Sequence, residues 1–179
     1  MVGAGMRPAD DSSLTRFQRV LLGTDGTVTH VLEAYAGEPV AVVKLLQEFD
    51  AAGEADVELD VPADDKVLRR RVLLRGARSG RTLLYAEAVV ALSRIEPEIL
   101  DGLVGTEKPI GVLLAEHRIE TFREILRGQR RPAGGSGTHF GIEPAADVVS
   151  RTYRIVRHGR PMILITETFP TTFFRGVSA

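Results

Sequence analysis

Glu167 stands in an apolar run, Met162 to Phe169, where the two-residue period of a β-strand puts it on one face with Ile163, Ile165 and Phe169. A carboxylate among such neighbours is costly to bury unless something pairs with it. Glu167 is therefore a candidate for binding or catalysis. The complementary oddity lies upstream. Between Lys66 and Gly76, the residues Leu68, Arg70, Val72 and Leu74 share one face, while Arg69, Arg71 and Arg75 mostly take the other. Arg70 is thus the arginine of its cluster that points with the aliphatic side chains. Either charge alone could sit near a strand end and reach water along its own stem. Their joint appearance, one in each of two similar hairpins, suggests a shared anion-binding pocket. Arginine grips a carboxylate in a planar bidentate fork, apolar walls take a ring, and the glutamate faces a hydroxyl or a carbon-bound proton. That arrangement suits a small cyclic acid.

The elements that must position these groups are two β-hairpins. The first pairs Lys66–Gly76 with Arg81–Val90 around a Gly76-to-Gly80 turn. The second spans roughly Val148 to Phe169 and turns at His158-Gly159, where Gly supplies the positive φ of a tight turn. Each hairpin has a basic first strand and an aliphatic second strand ending in Glu87 or Glu167, a weak internal repeat. Glu87 is read either as a second reactive group or as the partner of a core arginine. Around the hairpins, helical spacing predicts a helix from a Ser12 cap to Leu22 and another from a Thr27 cap to Gly37. Pro39 to Phe49 is predicted as a strand, Asp50 to Asp65 as a solvated acidic loop, and Glu96 to Leu103 as a helix with Pro97 in its first turn. Pro109 to Ala115 is a short helix whose first amides could hold an anion. Ile119 to Arg127 fits a strand or a helix. Arg130 to Gly137 is a flexible loop by composition, a connector before a lid. Sequential hairpins with short helices between them predict an α+β architecture, one antiparallel sheet flanked by helices.

The 179 residues fit one domain after a loose lead-in, with residues 1–12 as the lead-in and 13–179 as the domain. A formal charge of −1 gives no global attraction to nucleic acid or to an anionic membrane. No apolar run approaches a transmembrane length, and the first residues lack the apolar core of a secretory signal. With no cysteine, disulfides and thiolate metal sites are excluded. A cytoplasmic protein is the expectation. There is no nucleophile elbow, no phosphate-binding loop and no dinucleotide fingerprint. The four histidines, His30, His117, His139 and His158, are scattered without ligand spacing, so no metal site is expected.

Four motifs in order carry a resemblance: Asp25-Gly-Thr-Val-Thr29, Pro109-Ile-Gly111, Ile119-Glu-Thr-Phe122, and Tyr153 through Phe169 with its Thr-Glu-x-Phe ending. Over about Arg19 to Arg175 the chain resembles the chorismate lyase family (4-hydroxybenzoate synthases). The resemblance implies an antiparallel sheet with a buried ligand pocket under flap-like segments. It implies elimination of pyruvate from chorismate to give 4-hydroxybenzoate, without metal, nucleotide or other cofactor. It also implies Arg70 as the binder of the ring carboxylate, with Arg69 or Arg71 fitting after a one-residue slip. Backbone at Ile110 and Gly111 assists, Val28 lines the pocket, and Glu167 meets the ring hydroxyl. Glu87 stands where other members have an arginine, which leaves the cation for the enolpyruvyl carboxylate open among Arg118, Arg123 and Arg154. Two other readings share the resemblance. One is a related enolpyruvyl acid such as aminodeoxychorismate as substrate. The other is a non-catalytic module binding an aromatic acid, as in the effector domains of a group of transcription regulators, although no recognition helix is evident in this sequence.

Overall fold

The central pairing of the molecule joins the second strands of the two hairpins edge to edge. In the computed structural model, which describes residues 13–174, six antiparallel strands form one sheet in the order β1-β2-β3-β6-β5-β4. The strands are β1 (Val40–Ala51), β2 (Lys66–Gly76), β3 (Thr82–Ala91), β4 (Phe122–Pro132), β5 (Asp147–Arg157) and β6 (Arg160–Pro170). The expected lead-in, residues 1–12, lies outside the described residues. Both predicted hairpins are present, and the segment around Ile119 to Arg127 resolves as strand β4. The β5–β6 turn has positive φ at both His158 (49°) and Gly159 (73°), the geometry whose twist matches the flanking strands.

One face of the sheet carries α1 (Arg16–Gly23), α2 (Val28–Ala36), α3 (Pro97–Gly105) and α4 (Ile110–Glu116). Leu21, Val28 and Leu32 pack on Val42, Leu74, Leu84 and Phe169 at one end of that face. At the other, Ile99, Leu103, Leu113 and Leu114 pack on Leu68, Val90, Ile155 and Ile163. The two helical groups leave a gap between them, over the middle of the sheet. Among the described residues, no helix is long and apolar enough to cross a membrane.

The structure differs from sequence expectation at three connections. Thr15 caps α1, and Ser12, the expected cap, lies outside the described residues: Thr15 Oγ1 accepts the Gln18 amide at 3.2 Å, while Gln18 Oε1 accepts the Thr15 amide at 3.0 Å, a reciprocal capping box. The acidic stretch after β1 is no solvated loop. It forms a 3-10 helix, Glu54–Leu59, on the reverse face, where Leu59 packs with Ala52, Val67, Ala91 and Leu164. Its buried Asp56 is bound by Arg69 Nη2 at 2.7 Å, which holds the carboxyl below the usual aspartate range. The Gly-rich segment is neither free connector nor lid. It continues as a 3-10 turn and α5 (Gly137–Phe140), tied by Ala133 N–H to Ala146 O at 2.8 Å and Gly134 N–H to Pro144 O at 2.9 Å. His139 of α5 stacks on Tyr85 with centroids 4.5 Å apart. Tyr85 alternates with Ala86, so this segment also covers the reverse face.

The Thr15–Gln18 box also ties α1 to the segment after β6, since Thr15 Oγ1 and Gln18 Nε2 donate to the Phe174 carbonyl at 3.1 and 3.2 Å. Thr15→Ala should therefore lower the free energy of unfolding by about 1–2 kcal/mol in a urea titration, as for cap losses generally. An unchanged midpoint would show that the box contributes nothing to the fold.

Candidate functional site

The gap between the helical groups is a cavity of about 620 Å³, counting its mouth. Its floor is the sheet: Arg70, Val72 and Leu74 from β2, Leu84, Ala86 and Ala88 from β3, Ile165 and Glu167 from β6, Tyr153 and Ile155 from β5, and Arg123 from β4. Two short segments close it from above, Gly26–Thr29 at the α1–α2 junction and Pro109–Gly111 at the start of α4. Strand alternation brings these floor residues to one face. Register does the rest. Arg70 lies opposite Ala88, and Glu167 lies opposite Ala86, so two alanines of β3 separate the arginine from the glutamate. With strands ~4.8 Å apart and ~3.3 Å per residue, the two Cα atoms are about 12 Å apart across that small-residue strip. The cavity exists because β3 puts methyl groups where the neighbouring strands put large side chains.

Arg70 is only 3% exposed. Its Nη1 and Nη2 both donate to the Lys108 carbonyl at 3.3 Å, and its Nε is buried without a partner. Burial pulls its pKa below the ordinary arginine value, opposed by the nearby Glu107 carboxylate. Arginine titrates so high that the group is still a cation at neutral pH. The Lys108 carbonyl is the residue before Pro109, so the same bond that holds Arg70 draws the Pro109–Gly111 segment over the floor.

Glu167, also 3% exposed, is held at both of its oxygens. Arg151 Nε donates to its Oε2 at 2.7 Å, and the Tyr153 hydroxyl donates to its Oε1 at 3.0 Å. Arg151, 1% exposed, reaches onward with Nη1 to the Thr24 carbonyl at 2.6 Å. Burial, then the Glu167 charge, push the Tyr153 hydroxyl above its ordinary pKa, so it stays protonated and donating. The Arg151 guanidinium carbon lies 5.1 Å from the Tyr153 ring centroid, within cation–π range.

The expected residues Arg70, Ile110, Gly111, Val28 and Glu167 all line this one cavity. Arg69 and Arg71 do not. Arg69 binds Asp50 and Asp56, and Arg71 binds Glu87 with Nε 3.2 Å from Oε1. Glu87 therefore belongs to a half-exposed pair on the reverse face and is neither a second reactive group nor the partner of a core arginine. Sequence reading missed Arg151 and Tyr153. The signal for Tyr153 was present, since Arg151, Tyr153 and Ile155 alternate on one strand face. Arg151 was hidden by a bulge. Counting outward from the His158-Gly159 turn sets Arg151 opposite Thr166, but a register shift between Ile155 and Val156 moves it opposite Glu167. Among the described residues, no cluster of three or more His, Asp or Glu side chains could hold a metal ion.

The family described as chorismate pyruvate-lyase Rv2949c-like matches residues 21–175. The chorismate pyruvate-lyase of Mycobacterium tuberculosis is 31% identical to this chain, over 90% of it and 83% of the relative. That of Mycobacterium leprae is also 31% identical, over 90% and 78%. Of solved structures, PhnF from Mycobacterium smegmatis superposes with a TM-score of 0.67 at 12% identity, over 88% of this chain and 69% of that one. The effector domain of PhnF gives 0.64 at 13% identity, over 82% and 90%. At such identities the structural likeness is one of fold, the single-sheet, chorismate-lyase-like α+β architecture that these effector domains share.

Removing one partner of a buried ion pair strands the other charge, at a cost of about 3–5 kcal/mol. Arg151→Met should destabilise the protein by that amount in urea unfolding. Adding Glu167→Gln to Arg151→Met should restore part of the loss, because the stranded carboxylate is gone. Additive losses would mean that the two groups are not energetically coupled.

Proposed function

The chain belongs to the Rv2949c-like chorismate pyruvate-lyase family, and from that premise we propose that it eliminates pyruvate from chorismate to give 4-hydroxybenzoate. The observation that carries this reading is the pairing, across one apolar cavity, of a buried cation without a carboxylate partner, Arg70, with a buried carboxylate held in place, Glu167. A ring acid with a hydroxyl at the opposite end matches both groups at once.

In this reading the ring carboxylate sits on the Arg70 guanidinium, assisted by backbone amides at Ile110 and Gly111. The ring lies over Ala86 and Ala88 with Val28 and Ile165 as walls, and its hydroxyl donates to Glu167. The ether C–O bond to the enolpyruvyl group breaks as the proton on the hydroxyl-bearing carbon departs, and the ring becomes aromatic. The pyruvate enolate that leaves takes up one proton on its methylene carbon, matching the one lost from the ring, and becomes pyruvate. Atoms balance without any co-reactant, and aromatisation provides the driving force. The protein's contribution is alignment of the breaking bond with the departing proton, together with fixed charges that need no reorganisation. Arg151 and Tyr153 serve that purpose at one remove. They hold the Glu167 carboxylate in one orientation and leave it little freedom to swing away.

The test is purified protein with chorismate, following pyruvate while identifying the aromatic product. Pyruvate and 4-hydroxybenzoate should appear in equal amounts. Arg70→Ala should lower kcat/KM at least about a hundredfold, mainly through substrate binding, as for loss of a buried charge partner. Glu167→Gln should lower kcat far more than it weakens 4-hydroxybenzoate binding. Pyruvate no faster than the uncatalysed rate, with thermal stabilisation by an aromatic acid, would replace the lyase by a binding module of the same fold.

A further inference from the structure

Arginines that enter the helix-covered face from β4 and β5 are not equivalent. Arg151 of β5 and Arg123 of β4 both donate to the α1–α2 junction, Arg151 to the Thr24 carbonyl and Arg123 Nη1 to the Asp25 carbonyl at 2.9 Å. Arg151 is neutralised by Glu167. Arg123 lines the cavity and makes no ion pair among the described residues, and its Nε is buried without a hydrogen-bond partner. Arg123 is half-buried at the cavity's edge, and its guanidinium has only a neutral carbonyl as a hydrogen-bond partner, which leaves its charge free to favour an anion beside it.

We propose that Arg123 receives the second carboxylate of the substrate, the one on the enolpyruvyl group, while Arg70 holds the ring carboxylate. This assignment rests on the lyase reading above. The other two arginines left open by the sequence are excluded by their surroundings. Arg118 is exposed, at φ 52° just past α4. Arg154 alternates with Tyr153 and faces the reverse side, where its Nε and Nη2 bind Glu124 at 3.0 and 2.6 Å and its Nη1 binds the Glu58 carbonyl at 3.1 Å. Arg123 lies opposite Ile155, which also lines the cavity.

The layout suits a dicarboxylate. Arg70 stands on β2 and Arg123 on β4, four strand steps apart, or about 19 Å between strand axes. The two side chains approach from opposite rims and leave the middle of the floor, Ala86 and Ala88, to the ring. Gly111 completes the arrangement. A Cβ there would stand 3.2 Å from Thr27 Cγ2 and 3.4 Å from Arg123 Nη2, so a larger residue would crowd the guanidinium. Arg123 thereby separates substrate from product: chorismate carries the second carboxylate, and 4-hydroxybenzoate does not.

That difference gives the experiment. Arg123→Gln and Arg123→Lys are compared with wild type for kcat/KM on chorismate and for 4-hydroxybenzoate affinity by calorimetry. Arg123→Gln should lower kcat/KM about a hundredfold, in line with a lost charge partner at a binding site, with KM rising, while 4-hydroxybenzoate affinity stays within about threefold of wild type. Arg123→Lys, which keeps the charge, should recover part of the loss. Equal weakening of chorismate and product, or unchanged kcat/KM, overturns the assignment and leaves the lyase reading standing. Wild-type protein that makes no pyruvate overturns the lyase reading instead. The assignment is then decided by calorimetry alone: a selective loss of chorismate binding in Arg123→Gln upholds it, and an equal loss overturns it.

Discussion

The Arg151–Glu167 ion pair is the interaction on which the site depends. Both side chains are almost wholly buried, and each would be expensive inside the protein without the other. The pair bridges β5 and β6, the pairing next to the centre of the sheet, and Arg151 extends it to the Thr24 carbonyl. One guanidinium therefore fixes a carboxylate, a strand pairing and the entry to α2 together. The Tyr153 hydroxyl occupies the remaining Glu167 oxygen, so the carboxylate is held at both ends. Such a network is a poor source of net stability compared with an apolar core. It offers a charge held in one place in a largely apolar cavity, where electrostatic effects on a reacting group exceed those in bulk water.

A second constraint is volume. Strands β2 and β6 place long side chains on the helix-covered face, and β3 between them places Ala86 and Ala88. The strip of methyl groups sets the depth of the cavity, while the helices stay apart above it. The α1–α2 junction and the Pro109–Gly111 segment are each tied by a main-chain carbonyl to an arginine rising from the floor, Thr24 to Arg151, Asp25 to Arg123 and Lys108 to Arg70. Roof and floor are thus joined by charge-assisted hydrogen bonds, and the cations that would meet substrate also hold the cover in place.

Much of this was legible in the sequence, because the hairpins carry strict two-residue alternation. Arg70 and Glu167 stood out as charges in phase with aliphatic neighbours, and phase survives into the structure whatever the strand pairing. What alternation cannot supply is register. The shift between Ile155 and Val156 exchanges Thr166 for Glu167 as the partner of Arg151, and no residue type in that turn announces it. The repeat between hairpins misled in the same way. Glu87 and Glu167 occupy similar places in their strands, yet Glu87 alternates to the reverse face and pairs with Arg71. Composition misled at the acidic stretch after β1 and at the Gly-rich segment after β4. Both have the make-up of solvated loops, and both are drawn onto the sheet by a few contacts, Leu59 in one and the His139–Tyr85 stack in the other.

In the proposed function the cavity orients one aromatic acid between Arg70 and the fixed carboxylate of Glu167. A crystal structure with 4-hydroxybenzoate tests it most directly. The carboxylate should lie on the Arg70 guanidinium, the ring over Ala86 and Ala88, and the hydroxyl within hydrogen-bond distance of Glu167. A product bound in the reverse orientation, or with its carboxylate on another residue, would contradict it.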